Sequence, residues 1–252
     1  MKKLMIVLLL MSSFLGTAQN NALFARATDA YNAGDYEKAA ENYLKILENG
    51  EHSAELYFNL GNAYYKMNQI APSIYYYEKA LLLKPNNPEI QNNLGFAQNM
   101  TLDAIEELPE TGMSKIYGAI VEFLSFEQWA RTAVWFMILF VLSYIAFYFF
   151  RYATQKRIAF IVSMVSLIIA VLAIALAYLQ YTDFKKDQPA IVFPEVSVVK
   201  SEPNNRSQEA FTLHEGTKVN VLERLNDWKK IALADGKTGW ISSEDIKLLK
   251  DF

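Results

Sequence analysis

The sequence predicts a multidomain membrane protein: an all-α repeat array, a two-helix transmembrane hairpin and a small all-β barrel, in that order. Three observations predict it. Residues 20–53 and 54–87 align without a gap at a period of 34, the length of a stacked helix–turn–helix unit. Thr132–Phe150 and Ile158–Tyr181 run for 19 and 24 residues without a charge, long enough to cross a bilayer. Beyond residue 190, short Val-rich runs alternate with turn signals such as Pro203-Asn204-Asn205, His214-Glu215-Gly216 and Asp235-Gly236, the pattern of a small β domain.

Composition narrows the function classes. The 252 residues are 52% hydrophobic with a net charge of −3, more apolar than an ordinary soluble chain. The cations are scattered, so no electrostatic footprint for nucleic acid exists. With no cysteine, disulfides, thiolate metal sites and thiol nucleophiles are excluded. At the N-terminus, Lys2-Lys3 precedes an apolar run of 12 residues from Leu4 to Leu15 and then Gly16-Thr17-Ala18. That order is a signal peptide over residues 1–18, cleaved after Ala18. The run is shorter than the roughly 20 residues a spanning anchor needs.

The repeats occupy residues 19–108, as two full copies and a partial third over 88–108. The period places Tyr31 on Tyr65, Tyr43 on Tyr77, Leu47 on Leu81 and the turn Gly34-Asp35 on Asn68-Gln69. Gly and Asn tolerate the positive φ such turns require. The second copy, AELYFNLGNAYYKMNQIAPSIYYYEKALLLKPNN, resembles the tetratricopeptide consensus at Leu60-Gly61, Tyr64, Tyr77, Ala80 and Pro85. The first copy departs from it in carrying Ala27 where the consensus has a glycine. Gly61 and Ala80 are expected where paired helices approach most closely. From Pro88 a third first-helix is expected, continuing to Leu108 as a cap until Pro109 and Gly112 end the array.

Tetratricopeptide arrays hold peptide segments on a concave face, and the resemblance implies a groove of Phe24, Thr28 and Tyr31, then Phe58, Asn62, Tyr65 and Lys66, then Asn92, Phe96 and Asn99. The alternative use of these aromatics is packing between helices. In the groove reading Tyr65 is an aromatic anchor and Asn62 an amide that reads a peptide backbone, while Glu78 and Lys79 on the next helix are expected to stay out of recognition. Some relatives clamp a carboxylate with cations; here Phe24, Glu89 and Asn93 stand at those places, which argues against a clamp.

The membrane part is expected as an amphipathic helix over 113–125, with Ile116, Ile120, Phe123 and Leu124 on one face, lying at the interface or else docked against the repeat array, then transmembrane helices over 126–150 and 158–181. The short connection 151–157 carries Arg151, Lys156 and Arg157 and no acid, so it faces the cytoplasm by the positive-inside rule. The signal peptide independently requires the same topology, with both flanking domains exported. Ser125 and Gln128 have capping-box spacing, and Trp129, Tyr148, Tyr178 and Tyr181 fall where interfacial aromatic belts lie. Neither apolar stretch, 132–150 or 158–181, holds a charged residue or histidine, which argues against transport. Ser163, Ser166, Ala170, Ala173 and Ala177 form a small-residue stripe suited to close helix packing, against the first span or against a partner's helix.

After a polar linker over 182–189, residues 190–252 contain candidate strands at 197–200, 210–213, 218–224, 228–232, 238–242 and 246–249. This region resembles bacterial SH3-like domains, above all at LHEGTKVNVLE, DWKKI and DGKTGWI. Phe211, Trp228 and Trp240 are candidate ligand-surface residues, or else core and rim packing. No catalytic pattern appears: His52 and His214 each lack a second ligand nearby in sequence, no nucleotide or nucleophile-elbow motif occurs, and no cofactor or metal is expected. The reading is of a non-enzymatic protein.

The domain order as a whole resembles BatE-type members of the bacterial aerotolerance (Bat) family. That resemblance implies a bacterial inner-membrane protein with two spans and periplasmic N- and C-terminal domains. It also implies partners among membrane-anchored von Willebrand factor A-domain proteins and, through them, a MoxR-type AAA+ ATPase. The resulting expectation is a membrane-anchored interaction scaffold, with a cell-wall or ligand sensor acting through the SH3-like domain as the alternative.

Overall fold

A computed structural model describes residues 19–106, 108–109 and 112–251; the expected signal peptide lies outside them. The chain divides into two compact units, one formed by the described residues before 107 together with those from 188 onward, the other by residues 108–187.

The first unit starts with five helices: α1 over 19–32, α2 Tyr36–Glu48, α3 Ala54–Lys66, α4 Ile70–Leu83 and α5 Pro88–Gln98. The starts of α2, α3 and α5 are written in side chains that satisfy otherwise unpaired N–H groups. Asp35 accepts from Lys38 N, Ser53 from Leu56 N, and Asn87 from the N–H groups of Glu89 and Ile90, with Pro88 opening α5. Both turns expected to leave the helical region do so, Gly34 at φ 83° and Asn68 at φ 58°. Inside, Tyr43, Leu56, Leu60 and Ala27 are fully or almost fully buried between α1, α2 and α3. Tyr77 fills the space above Gly61, and Ser73 Oγ donates to Gly61 O at 3.0 Å, fixing the approach of α3 to α4.

The third first-helix is shorter than expected. It ends at Gln98, and residues 101–106 are irregular. Asp103 and Ile105 are engaged by the β domain, and these contacts replace the helical hydrogen bonds that a cap to Leu108 would have made.

Seven antiparallel strands follow from residue 189: β1 Pro189–Val192, β2 Val196–Lys200, β3 Glu209–His214, β4 Lys218–Leu225, β5 Trp228–Ala232, β6 Thr238–Ser242 and β7 Ile246–Leu248, in sheet order β3-β2-β6-β5-β4-β1-β7. The linker expected to reach residue 189 is therefore cut short by β1, which pairs with both β4 and β7. Pro189, Ala190, Ile191 and Val192 are all buried, so the strand lacks the alternation by which half-buried strands are read. Val199, Leu213, Val219, Val221, Ile231, Ile241 and Ile246 make the barrel core.

The second unit holds α6 Gly112–Val121, α7 Phe126–Phe149 and α8 Ala153–Lys186. The capping box at Ser125 and Gln128 forms with both of its hydrogen bonds. The residues of α7 and α8 that are buried are Ala133 on α7 and Ala159, Ser163, Ser166, Ala170, Ala173 and Ala177 on α8. Large apolar side chains such as Trp135, Leu142, Ile161 and Ile168 point outward. Both helices are long and apolar enough to cross a membrane. The helical boundaries differ from the uncharged stretches. Only residues 150–152 break the helix, so Lys156 and Arg157 lie on α8, and residues 182–186 form its last turn in place of a linker. A backbone leaving lipid still gains by completing its hydrogen bonds, and Lys185 and Lys186 suit a helix C-terminus. Trp129 Nε1 donates to Val121 O and Gln180 Nε2 to Leu124 O, which ties α6 to the helix pair while Ile116, Ile120 and Phe123 remain exposed.

Candidate functional site

The concave side of the helical array holds an open cleft of about 290 Å³, lined by Tyr31, Phe58, Asn62, Tyr65, Lys66, Tyr77, Glu89, Asn93 and Phe96. Six of the ten expected groove residues meet there. Phe24 instead packs edge-on against Tyr43 at 5.3 Å and lines a second cleft with Ile46, Glu51 and Leu56. Thr28 Oγ1 shares a hydrogen bond with Tyr43 OH and donates to Phe24 O, so it serves packing. Asn92 and Asn99 are exposed outside the cleft. The terminal helix α5 presents residues 89, 93 and 96 to the cleft; translation by the repeat period points to 92, 96 and 99, and only Phe96 is common to both.

Asn62 has a different task from the one its position implies. Its Oδ1 accepts from Tyr77 OH at 2.6 Å and from Asn93 Nδ2 at 2.8 Å, so it braces α3, α4 and α5 together. Burial pushes the Tyr77 phenol above its ordinary value, which keeps the hydroxyl a donor. The cleft then presents Tyr31, Phe58, Tyr65 and the 60% exposed Phe96 as candidate recognition residues, with Lys66 and Glu89 of opposite charge in its lining.

The far side of α4 meets the β domain. Glu78 and Lys79, expected to stay out of recognition, are buried. Lys218 Nζ donates to Glu78 at 2.8 Å, Lys79 pairs with Asp251, and Tyr75 OH donates to Leu248 O and Asp251 Oδ2. Phe193 stacks edge-on against Tyr75. Ile191 and Leu249 join Tyr57, Ile74, Tyr75 and Leu94 in one buried cluster, so β1 and the chain end complete the core of the array. Gly216 belongs to the same contact: a Cβ there would lie 2.9 Å from both Ile74 and Thr101.

A second tie is Asp103. Its carboxylate accepts from His214 N at 2.7 Å, His214 Nδ1 at 2.7 Å and Thr217 Oγ1 at 2.6 Å, giving His214 a partner far away in sequence. Burial pushes this carboxyl up, but the hydrogen bonds from Thr217 and His214 outweigh it and hold it below its ordinary value. A depressed folded-state value stabilises above the unfolded value of about 4 and loses that contribution as pH falls through the folded one. Acidification below about pH 4 is expected to loosen residues 101–106, and Asp103→Asn to cost about 1–3 kcal/mol at neutral pH by leaving buried donors unpaired. Hydrogen exchange at the His214 amide measures both; equal protection in wild type and Asp103→Asn would show that the tie carries no weight.

The three expected ligand residues of the β domain divide between its two faces. Phe211 pairs with core residue Val199, lies beside Gly239 and packs on the barrel interior, where Ile105 adds to it. Trp228 and Trp240 share the outer face, because Trp240 pairs with Lys230, two residues from Trp228 on β5. Among the described residues no group of three His, Asp or Glu could hold a metal ion.

Comparison with known families agrees with both soluble parts. None of the curated proteins compared matches the chain. Residues 61–100 match the TPR repeat and residues 196–247 match the bacterial SH3 domain, modules that point to protein–protein interaction or binding.

Proposed function

We propose that this protein is a membrane-anchored scaffold that binds partner proteins and catalyses nothing itself. The observation that carries the reading is the cleft of aromatic side chains around Tyr65 and Phe96 on a braced helical array. The array and the β domain lie on the exported side of a bacterial inner membrane, held by α7 and α8 as a two-span hairpin. The partners are other membrane proteins of an aerotolerance-type envelope complex, including von Willebrand factor A-domain proteins and a MoxR-type ATPase, as the resemblance of domain order implies. Because such a cleft buries little area, affinity comes from a few anchors. Tyr65→Ala with Phe96→Ala is expected to weaken capture of co-purifying membrane partners by about tenfold or more. The matched control is Glu41→Ala with Lys45→Ala on the exposed side of α2. Equal loss in both variants would remove the cleft from recognition.

The topology has its own test. Reporters active only after export are expected to be active when fused after Asp187 or after Phe252 and silent when fused after Arg151. A silent reporter at Phe252 would show that one helix stays out of the membrane. Trp228 and Trp240 on one open face favour a second reading, in which the β domain binds cell-wall material; retention of the full chain on purified sacculi measures it.

A further inference from the structure

The turn between α7 and α8 gathers positive charge that nothing in its own unit neutralises. Arg151 stands in the break between the helices, and Lys156 and Arg157 lie near the start of α8. From residue 128 to residue 182 the sequence has no Asp or Glu. Glu127 and Asp183, the nearest acids on these helices, are therefore more than about 30 Å away along the helix axes. Among the described residues none of the three cations lies within ion-pair distance of a carboxylate. Arg151 and Arg157 are exposed, whereas Lys156 is half-buried. Its Nζ lies 5.7 Å from the centre of the Phe147 ring, so the ammonium reaches across from α8 to α7. Phe147 also meets Phe160 of α8 at 6.1 Å. From there rings follow one another down α7: Phe147 contacts Tyr144 and Tyr148, and Tyr144 contacts Phe140. These four share one helical face, on which Tyr144 and Tyr148 are exposed.

We propose that this ridge binds one anionic phospholipid, its phosphate held at Lys156, with Arg151 and Arg157 adding charge, and an acyl chain lying along Tyr144 toward Phe140. The inference rests on the reading of α7 and α8 as a membrane hairpin. Sign and length select the occupant. A purely apolar neighbour would leave the half-buried ammonium without a counter-charge, which is costly next to hydrocarbon. A phosphate supplies that charge, and acidic head groups settle at basic sites on the ends of spanning helices. From Tyr148 to Phe140 the ridge descends about 12 Å, most of one leaflet of a hydrocarbon core about 30 Å thick. A head group at the turn and a chain along the rings therefore belong to one molecule, whereas a free phosphate would use only the upper end. The Phe147 ring fixes the lysine through cation–π attraction, which separates a built site from a diffuse basic surface.

The test reconstitutes the full chain in phosphatidylcholine vesicles carrying a trace of spin-labelled lipid and reads the immobilised fraction by electron paramagnetic resonance. Spin-labelled phosphatidylglycerol is expected to associate about tenfold more strongly than spin-labelled phosphatidylcholine. Lys156→Gln with Gln155→Lys moves one charge about 100° round α8 at constant net charge, and is expected to lose about fivefold of that preference. Phe147→Leu, which also keeps every charge, is expected to lose several-fold, and Lys156→Arg to stay near wild type, since a guanidinium stacks on the same ring. Far-ultraviolet circular dichroism of the vesicles confirms that the helices are intact. Equal association of the two lipids, or a preference that survives both charge-neutral variants, overturns the proposal and leaves only diffuse attraction to the turn. Loss of the preference in sodium phosphate but not in sodium chloride of equal ionic strength overturns it in favour of free phosphate. No immobilised fraction for either lipid would remove α7 and α8 from the bilayer, and so overturn the hairpin reading as well.

Discussion

Gly61→Leu is expected to destabilise the first unit by about 3 kcal/mol or more, at the upper end of what overpacking costs. A Cβ on Gly61 would stand 2.5 Å from Tyr77 Cδ1 and 2.6 Å from Cε1, closer than atoms can sit. Tyr77 has little freedom to withdraw. Its side chain is 1% exposed, its hydroxyl is bonded to Asn62, and its ring leans on Phe58 at 5.9 Å. The helices are also held from separating by the Ser73–Gly61 hydrogen bond. The strain therefore spreads into the Asn62 brace, and the cleft should lose partner binding along with stability. Gly61→Ala should show a smaller loss of the same kind. Thermal melting of the full chain in detergent decides: an unchanged midpoint in Gly61→Leu would mean that α3 and α4 do not approach at Gly61.

Deleting residues 188–252 is expected to cost the helical array even more. The deletion removes Ile191 and Leu249 from a cluster that also contains Ile74, Tyr75 and Leu94, and exposes that face to water. It strips Asp251 from Lys79, whose side chain is only 6% exposed. Lys79 then meets water, so the larger cost is the apolar area uncovered around it. The hydroxyl of Tyr75 and the carboxylates of Glu78 and Asp103 lose their partners in the same step. The shortened chain should be cut rapidly within α4 and α5 under limited proteolysis that leaves the intact chain whole. In the intact chain, helical ellipticity and the near-ultraviolet signal of Trp228 and Trp240 should be lost in one transition. A shortened chain that resists protease as well as the intact one would show that the two parts fold separately.

The repeat period located α2, α3 and the start of α5 because helical periodicity is local, and the caps Asp35, Ser53 and Asn87 act within three residues of where they stand. The close helix approach at Gly61 was legible for the same reason, but its neighbour there, Tyr77, was not, since the sequence pattern pointed to Ala80. The ties between array and barrel were not. Asp103 reads as one more solvated acid until a partner 111 positions away closes on it, and Lys79 meets Asp251 across 172. The split of Phe211 from the two tryptophans was hidden by side-chain parity, because a register shift between Val199 and Lys200 changes how β3 and β2 oppose one another. Asn93 carried a usable signal, standing four residues after Glu89 and three before Phe96 on one helical face.

The array is finished by strands that are made last. The chain leaves the first unit near residue 107 and returns to it at 188, after both long apolar helices have been synthesised. At roughly 5–20 residues per second, on the order of ten seconds or more pass between completion of α5 and arrival of Leu249 and Asp251. During that interval Ile74, Tyr75 and Lys79 face water, a nascent surface open to proteases and to premature association. Maturation of the first unit therefore waits on the hairpin, so that a chain whose hairpin stalls presents an unfinished array to quality control.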